Sequence, residues 1–476
     1  MTLEGNRNSS YFSPVDTIAA PITAPGQAAI SVLRLSGPKT RAIIERVVPQ
    51  AERVLGSPRE LVLAEIRAGK ETVDHCLAAF FPAPRSYTGE DCAEFSLHGS
   101  PFLLSRVLEL LHQEGARAAR PGEFTQRAFL NGRMDLSQAE AVADLVAAET
   151  ELQARAARRQ LAGELSTAVS RLGEPLRHLL AEIEACLDFP EEGIEPAAGA
   201  EWLSSIGAVE SSLARYLATF SLGRLCREGA DVVLLGAPNT GKSSLLNTLA
   251  GEERAIVTPI PGTTRDSIEG RLNLQGLFVR LWDTAGLNEG PAQQTAADEV
   301  ERLGVERSWR KAQTADLSLF VFDGASLLRP QFELCRKVAA LGRPMALVLN
   351  KTDLLRRPED SLQELTSLNL GAVYAVSALS GRGVPQLAAA IRETLIGGGA
   401  GLMDAALLIT NRRHFEALSA AKESLLRASS GLHQQQPLEL ITLELRAALG
   451  ALSEIIGVTT SEDILGRIFS RFCIGK

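Results

Sequence analysis

The chain has 476 residues, of which 45% are hydrophobic and 22% charged, and its formal net charge is −8. This length is too great for a single hydrophobic core and suggests about three domains, while the composition excludes wholesale disorder and a bundle of membrane helices. The net negative charge also excludes bulk attraction to polyanions, so any nucleic acid must be met by a local basic patch.

The amino-terminal residues and the cysteines point to the cytoplasm. Residues 1–14 are polar and lack the pattern of a secretory signal, and no stretch is typical of a transmembrane helix. The six cysteines lack Cys-x-x-Cys spacing, which argues against a zinc site or a disulfide framework. We therefore expect a cytoplasmic protein with no membrane contact.

Residues 1–131 have the texture of an α/β or α+β domain. Apolar runs between turn signals predict strands, and apolar residues at helical spacing predict helices between and after them. The predicted strands are 29–33, 76–81 and 93–97, and the predicted helices are 40–48 and 101–114.

Two groups of arginines are candidates for a nucleic-acid patch. Either group could instead be a solvated helix or loop face, which is the more common role of such runs. The groups are Arg117, Arg120, Arg127 and Arg133, and Arg155, Arg158 and Arg159.

Residues 132–223 predict long helices. Ser137 and Glu140 have capping-box spacing at the start of the first helix, and a later helix is expected at about 201–222. Residues 399–476 are again helical in composition. The two segments could pack as one discontinuous helical domain around an inserted domain, or form two separate domains.

Residues 224–398 carry a phosphate-binding loop in its required context. The apolar run 231–235 predicts a buried strand, and residues 236–243 then read Gly-Ala-Pro-Asn-Thr-Gly-Lys-Ser. Glycines let such a loop wrap an anion, backbone N–H groups and the helix N-terminus supply positive potential, Lys242 reaches the outer phosphates and Ser243 can ligate magnesium.

Three further polar motifs follow apolar runs, where open α/β sheets bind their ligands. Asp283 opens Asp-Thr-Ala-Gly and can hold the magnesium shell, while Gly286 lets the backbone approach the γ-phosphate. Asp353 closes Asn-Lys-Thr-Asp and can accept from both donors on the guanine edge, which adenine does not present. Residues 377–379 are placed to support the base. The motifs predict a GTP-binding P-loop domain.

The catalytic apparatus differs from that of Ras-like enzymes. The loop 261–266 should bring Thr264 to magnesium, but Leu287 stands where such enzymes have the water-orienting glutamine. Either the domain is a slow switch or another group acts, and the acidic run 298–301 is the nearest source of carboxylates. That run could also be a solvated helix face.

Outside these motifs, several segments resemble the MnmE (TrmE) family of tRNA-modification GTPases, from about residue 16 to residue 476. They are Val-Leu-Arg-Leu-Ser-Gly at 32–37, Tyr-Thr-Gly-Glu-Asp at 87–91, Leu-His-Gly at 97–99, Arg-Pro-Gly-Glu-Phe at 120–124, Arg-Ala-Phe-Leu-Asn at 127–131, Asp-Leu-Ser-Gln-Ala-Glu at 135–140 and Phe-Cys-Ile-Gly-Lys at 472–476. The last four residues also look like a prenylation box, but Gly475 and Lys476 fit it poorly and we reject lipidation.

The resemblance implies a domain order of N-terminal folate-binding and dimerisation domain (1–131), helical domain first part (132–223), GTPase domain (224–398) and helical domain second part (399–476). It implies a homodimer that binds GTP and GDP and works with the FAD-dependent protein MnmG in a heterotetramer-type complex. This complex would install a carboxymethylaminomethyl-type group at carbon 5 of the wobble uridine of certain tRNAs. The one-carbon unit would come from 5-formyl- or 5,10-methylene-tetrahydrofolate.

The resemblance further implies a potassium ion near the phosphates, which could act like an arginine finger. It also implies that Glu301 positions the attacking water indirectly, and that a folate is held by charged side chains, because folate offers carboxylates and a pterin edge. The implied potassium ligands are Asn239, Thr258, Ile260 (through its carbonyl) and Thr263, and the implied folate residues are Arg34, Glu94, Arg133 and Lys476.

Together the motifs and the resemblance define the expected site. Its catalytic residues are Glu301, Asp283, Thr264 and Lys242, and magnesium is assigned to Ser243 and Thr264. The nucleotide residues are Asn239, Thr240, Gly241, Lys242, Ser243, Ser244, Thr258, Thr263, Thr264, Asp283, Thr284, Ala285, Gly286, Asn350, Lys351, Asp353, Ser377, Ala378 and Leu379.

Two other functions compete with a tRNA-modifying enzyme. One is a regulatory GTPase of ribosome assembly or stress response, whose flanking domains only bind a partner. The other is an acyl or one-carbon transferase with a vestigial GTPase. The folate-type residues argue against the first, and the intact Asp283 and Asp353 argue against the second.

Overall fold

The computed structural model describes residues 16–188, 196–252, 269–283, 306, 308–397, 407–459, 461–470 and 472–476. Within these residues the chain forms twelve strands and sixteen helices, and it divides into two compact units. The first unit is Met1–Ala143, Gln160–Ile206 and Glu423–Lys476, and the second is Asp144–Arg159 and Gly207–Lys422.

The amino-terminal part of the first unit is a six-stranded sheet of order β3-β4-β5-β2-β1-β6, antiparallel except for the parallel β1–β6 pair. The alternation along each strand sends one set of side chains to a core shared with the helices, as Phe95 and Leu97 show. The strands are β1 (Thr17–Pro21), β2 (Ile30–Ser36), β3 (Val62–Ala68), β4 (Glu71–Phe81), β5 (Cys92–His98) and β6 (Ala116–Ala118), and the helices are α1 (Thr40–Val47), α2 (Ala51–Gly56), α3 (Pro101–Gln113) and α4 (Glu123–Leu130).

In their described residues, the helical segments on either side of the nucleotide-binding region contain eight helices. The stretch expected at about 201–222 is two helices rather than one. The eight are α5 (Leu136–Ala147), α6 (Glu151–Leu161), α7 (Glu164–Asp188), α8 (Pro196–Ala218), α9 (Phe220–Glu228), α14 (Arg412–His433), α15 (Leu438–Ile456) and α16 (Glu462–Phe469).

Helices from the two helical segments pack together. Within the first unit α7 lies along α15, and Arg446 Nη2 donates to Glu184 Oε1 at 2.7 Å across this pair. A discontinuous helical domain is therefore confirmed over two separate helical domains.

The N-cap predicted for α5, Ser137, is wrong, because the helix is capped two residues earlier by Asp135. Asp135 Oδ1 accepts from the backbone N–H of Gln138 at 3.0 Å, and Gln138 Oε1 accepts from the N–H of Asp135 at 3.0 Å. Ser137 lies inside the helix, fully buried, and its hydroxyl donates to Asp135. The reciprocal bonds make Asp135 and Gln138 the capping box, since Asp caps a helix as well as Ser does.

The second unit contains the other sheet, of order β12-β11-β10-β7-β9-β8, in which every pair is parallel except the edge pair β8–β9. Both faces are covered, so its inner strands are nearly continuous apolar runs. The strands are β7 (Ala230–Leu235), β8 (Glu269–Leu274), β9 (Leu277–Asp283), β10 (Leu317–Asp323), β11 (Met345–Asn350) and β12 (Ala372–Ala375), and the helices are α10 (Lys242–Glu252), α11 (Arg329–Ala339), α12 (Pro358–Ser367) and α13 (Val384–Ile396).

Residues 144–159 belong to this second unit although they precede the predicted GTPase domain. Arg227, at the end of α9, makes two hydrogen bonds to the carboxylate of Asp144, at 2.7 and 2.9 Å. Gln153 of α6 donates to the carbonyl of Arg227 at 3.0 Å. The domain boundaries expected from the sequence stay a prediction.

Candidate functional site

The loop between β7 and α10 is shaped for an anion. Gly236 and Gly241 have φ angles of +142° and +87°, which side chains rarely adopt. A Cβ at Gly236 would lie 2.3 Å from the carbonyl oxygen of Val321, and one at Gly241 would lie 2.4 Å from Asn350 Nδ2. Both glycines are therefore required by the close approach of neighbouring strands as well as by backbone conformation.

Lys242 stands at the start of α10 and is buried. Its ammonium donates to the loop carbonyls of Gly236, at 3.2 Å, and Ala237, at 2.8 Å. Burial lowers the pKa of Lys242 from its usual value, and the negative charge of Asp283 acts in the opposite direction. Among the described residues this buried ammonium has only carbonyl acceptors, and it is poised to bind phosphate oxygens, which are stronger acceptors.

Ser243 and Asp283 are brought together by the parallel pairing of β7 and β9. The serine hydroxyl donates to Asp283 Oδ2, while Asp283 Oδ1 is buried and has no hydrogen-bond partner among the described residues. Magnesium in such sites takes hydroxyl, carboxylate and water oxygens. The unsatisfied carboxylate oxygen beside a serine hydroxyl therefore fits a hydrated magnesium ion.

The loops after β11 and β12 form the other half of the site. Asp353 is exposed, and its Oδ1 accepts from the hydroxyl of buried Ser377 at 2.5 Å. This bond holds the carboxylate in one orientation. Leu379 in the same loop as Ser377 is 89% exposed and offers an apolar surface.

Asn350 has a role that its motif does not reveal. It is buried, its amide nitrogen donates to the carbonyl of Thr240 at 2.9 Å, and its amide oxygen accepts from the N–H of Ala378 at 3.0 Å. Asn350 therefore ties the phosphate loop to the loop after β12. Ser244, another expected contact, is exposed on α10.

Sequence reasoning missed Asp323, which ends β10 at the same edge of the sheet. Its carboxylate accepts from Lys351 Nζ at 2.6 Å. The signal was present, because Asp323 directly follows an apolar run just as Asp283 does.

Several expected residues lie outside the described residues, and their assignments stay predictions. They are Thr258, Ile260, Thr263, Thr264, Thr284, Ala285, Gly286 and Glu301.

In the first unit, Arg34 and Glu94 face each other across β2 and β5. Arg34 Nε and Nη2 lie 2.9 and 2.8 Å from Glu94 Oε1, so the two expected folate residues form an ion pair. The guanidinium carbon lies 4.7 Å from the ring centre of Tyr87 and 5.6 Å from that of Phe124. The Glu94 carboxylate thus orients the Arg34 guanidinium, which lies against the rings of two aromatic side chains.

The last residue of the chain reaches the same place. The N–H of Phe124 donates to the backbone oxygen of Lys476 at 3.2 Å, and a Cβ at Gly475 would lie 2.0 Å from the carbonyl oxygen of Pro21. Partial burial lowers the pKa of the Lys476 ammonium; Cys473 opposes this shift and the positive charge of Arg34 adds to it. Two mutually repelling cations favour an anion between them.

Arg133 is not joined to the other three expected folate residues. It is exposed, and among the described residues it makes no hydrogen bond or ion pair with Arg34, Glu94 or Lys476. Its side chain instead lies near the loop at Gly89.

In the first arginine group, Arg117 and Arg127 form ion pairs, whereas Arg120 and Arg133 are exposed, so a nucleic-acid role of this group stays a prediction. Arg127 is buried and pairs with Asp16 at 2.6 Å, Glu123 at 3.1 Å and Glu90 at 3.2 Å, and Arg117 pairs with Asp16 and Glu123. We call these five side chains the charge network. Its guanidinium groups are used inside the domain.

The second arginine group lies on α6, where Arg158 forms an ion pair with Glu151. No helix in the described part of the chain is long and apolar enough to cross a membrane.

Two family models and several curated relatives match this chain. The family model described as the MnmE helical domain matches residues 136–473, and the model of the GTP-binding protein TrmE N-terminus matches residues 17–133. A tRNA modification GTPase MnmE of Akkermansia muciniphila is 43% identical, over 97% of this chain and 99% of its own length. One of Chloroflexus aurantiacus is 44% identical, over 97% and 100%. Among solved structures, Era in complex with MgGDPNP and a segment of 16S ribosomal RNA is 25% identical over 41% of this chain and 66% of its own, with a TM-score of 0.30.

Proposed function

The chain belongs to the MnmE family of tRNA modification GTPases, and on that premise we propose that it hydrolyses GTP to drive a modification at carbon 5 of the wobble uridine of certain tRNAs. It would act with the FAD protein MnmG and a folate-borne one-carbon unit, as a potassium-dependent homodimer in the cytoplasm. The observation that carries the GTPase part is the presence, at the phosphate loop, of the buried Lys242 ammonium and of an Asp283 oxygen that has no hydrogen-bond partner among the described residues.

Binding and chemistry are divided among the described residues. Asp353, held by Ser377, would accept from the guanine edge, and the N–H groups of the phosphate loop with Lys242 would bind the phosphates. When Lys242 leaves the carbonyls of Gly236 and Ala237 for phosphate oxygens, its buried charge gains anionic partners. Such preorganised charge stabilises the developing transition state.

Two cations fit this site. Magnesium would be held by Ser243 and Asp283, and it would neutralise charge on the outer phosphates. Potassium would be held in part by Asn239, whose φ of +62° places it at the turn of the phosphate loop. The side chain of Asn239 makes no hydrogen bond to another described residue and is available as a ligand.

The pocket around Arg34 fits a reduced folate. Arg34 and Lys476 supply two cations for a carboxylate, Glu94 supplies an acceptor for a pterin edge, and Tyr87 and Phe124 supply aromatic surface. A bound folate would supply the one-carbon unit, and these residues would bind and orient it.

A homodimer through the first unit is supported by the face of its sheet opposite helices α1, α2 and α3. Leu63 of β3 and Leu77 of β4 are paired in register there and exposed, and Ile30 of β2 is exposed on the same face. Neighbouring exposed apolar side chains are typical of an interaction surface.

A purely regulatory GTPase is disfavoured. The family models match residues 17–133 and 136–473, which extend well beyond the nucleotide-binding region on both sides, and a switch does not need the residues around Arg34.

The function is tested by mass spectrometry of tRNA nucleosides from cells that lack this protein. The C5-modified wobble uridine should disappear and return with the wild-type gene. A gene with Asp353→Asn should fail to restore it, whereas Asp360→Asn, a change of an exposed carboxylate on α12, should restore it. An unchanged nucleoside profile in the deletion strain would refute the proposal.

A further inference from the structure

Asp323 lies where the two halves of the nucleotide site meet. It is the last residue of β10 and pairs in register with Asn350, the last residue of β11. The N–H of Gly324 donates to the carbonyl of Asn350 at 2.8 Å, which keeps the two strand ends together. Asp323 is thus at the carboxyl edge of the sheet, beside the phosphate loop and the 350–353 loop.

The Asp323 carboxylate begins a chain of contacts between those loops. Its Oδ2 accepts from Lys351 Nζ at 2.6 Å, and its Oδ1 accepts from the N–H of Ala325 at 2.9 Å. Lys351 Nζ also donates to the carbonyl of Asn239 at 2.7 Å. One ammonium therefore joins the 350–353 loop, the end of β10 and the phosphate loop.

This contact chain holds two residues in an unusual conformation. Lys351 and Asn239 have φ angles of +61° and +62°, which cost free energy in residues other than glycine. Side chains of Asp323 and Lys351 are 17% and 32% exposed, so their ion pair is shielded from water on most sides. A charge-assisted hydrogen bond in such surroundings is stronger than one in water.

Without the carboxylate, the Lys351 ammonium would keep one carbonyl acceptor among the described residues, that of Asn239, and would gain hydrogen bonds by returning to water. The stem of Lys351 passes the phosphate loop near Gly241, where a Cβ would lie 3.9 Å from its Cε. Freeing this side chain would loosen the phosphate loop and the 350–353 loop together.

We propose that Asp323 is a positioning residue for nucleotide binding, which acts through Lys351 to hold the guanine-binding and phosphate-binding loops in one arrangement. GTP and GDP both span these loops, so both depend on it equally. The contact joins residues of the protein alone and lies away from the γ-phosphate chemistry. Its loss therefore changes the affinity and the KM more than the kcat.

The test is Asp323→Asn, which keeps an oxygen for the Ala325 N–H and removes the negative charge. Titration with fluorescent GTP and GDP analogues should give Kd values about tenfold higher for both, as expected for a charge-assisted hydrogen bond, with kcat at saturating GTP within about twofold. Asp360→Asn is the matched control and should bind like the wild type. Wild-type affinity in Asp323→Asn would overturn the proposal.

A second pair of measurements separates positioning from a general structural role. In a Lys351→Met background, Asp323→Asn should cause no further loss of affinity, because the partner is already absent. The same tenfold loss in both backgrounds would show that Asp323 acts without Lys351, against the proposal. If Asp323→Asn does not fold, Asp323→Ser carries the same tests, since its hydroxyl can still accept from the Ala325 N–H.

Discussion

At the nucleotide site each functional side chain stands in or beside a loop that directly follows a parallel strand, whereas the pocket around Arg34 combines two antiparallel strands with the last residue of the chain. At the nucleotide site Lys242 and Asn350 donate to backbone carbonyls rather than to charged side chains. The Arg34 pocket and the adjacent charge network hold their side chains through ion pairs. A change of one charge should therefore damage folding in the charge network and ligand binding at the nucleotide site.

The largest effect is expected from Arg127→Met in the charge network. It leaves Glu123, which is 1% exposed, with one guanidinium fewer, and removing one partner of a buried pair costs about 3–5 kcal/mol of unfolding free energy. Chemical denaturation followed by circular dichroism would measure this loss, while GTP affinity should be retained. Arg46→Met, which breaks an exposed pair with Glu114, should cost under about 1 kcal/mol.

The same variant has a pH signature. Burial opposes ionisation of Glu123, but the hydrogen bonds from Arg117 and the Arg120 N–H and the charge of Arg127 outweigh it and hold its pKa below the usual 4.5. Stability from a lowered carboxyl pKa is complete above the unfolded-state pKa and is lost as the pH falls through the folded-state pKa. The difference in unfolding free energy between the wild type and Arg127→Met should therefore become smaller below pH 4.5. A difference that stays constant down to pH 3 would contradict this role of Glu123.

Lys242→Met should have the opposite pattern, with folding kept and catalysis lost. Removing a preorganised charge from a buried phosphate site costs on the order of 10²–10³ in rate. GTP hydrolysis measured by phosphate release should fall by that factor, while the unfolding transition should be preserved. Lys337→Met, on the exposed face of α11, is the control. Undiminished hydrolysis in Lys242→Met would place phosphate binding elsewhere.

Asp353→Asn should change the preferred base of the site from guanine to xanthine. Each hydrogen bond from guanine to a charged acceptor contributes about 1.5–3 kcal/mol, so GTP affinity should fall about 10²-fold or more. The variant should favour xanthosine triphosphate, because its amide can pair with an oxo group. A fluorescent-nucleotide titration measures both, and unchanged GTP affinity would exclude Asp353 as the guanine acceptor.

The smallest effect is expected from Arg34→Ala. Calorimetry with 5-formyl-tetrahydrofolate should show binding that weakens about tenfold or more when one charge-assisted contact is lost. GTP hydrolysis should be unaffected, and Arg53→Ala on α2 should bind folate normally. Full affinity in Arg34→Ala would move the folate site away from the Arg34–Glu94 pair.

Local patterns predicted many elements closely. The expected strands at 76–81 and 93–97 are within β4 and β5, and the expected helix at 101–114 is α3 with one residue more. By contrast β1 and β6 were not predicted, because they are short and pair residues about a hundred positions apart, such as Thr17 with Ala116. A three-residue strand carries too little periodicity for sequence to reveal.

By itself the sequence determined the nucleotide loops, because a Gly-rich turn or an Asp after an apolar run meets its partners wherever parallel strands end at one edge. Only the tertiary structure decided which partners those side chains have within the protein. In the tertiary structure Asn350 hydrogen-bonds to the phosphate loop, Lys351 pairs with Asp323, and Arg34 pairs with Glu94. The physical reason is that strand register and chain packing bring distant charges together, and a buried charge binds the nearest opposite charge that the fold supplies.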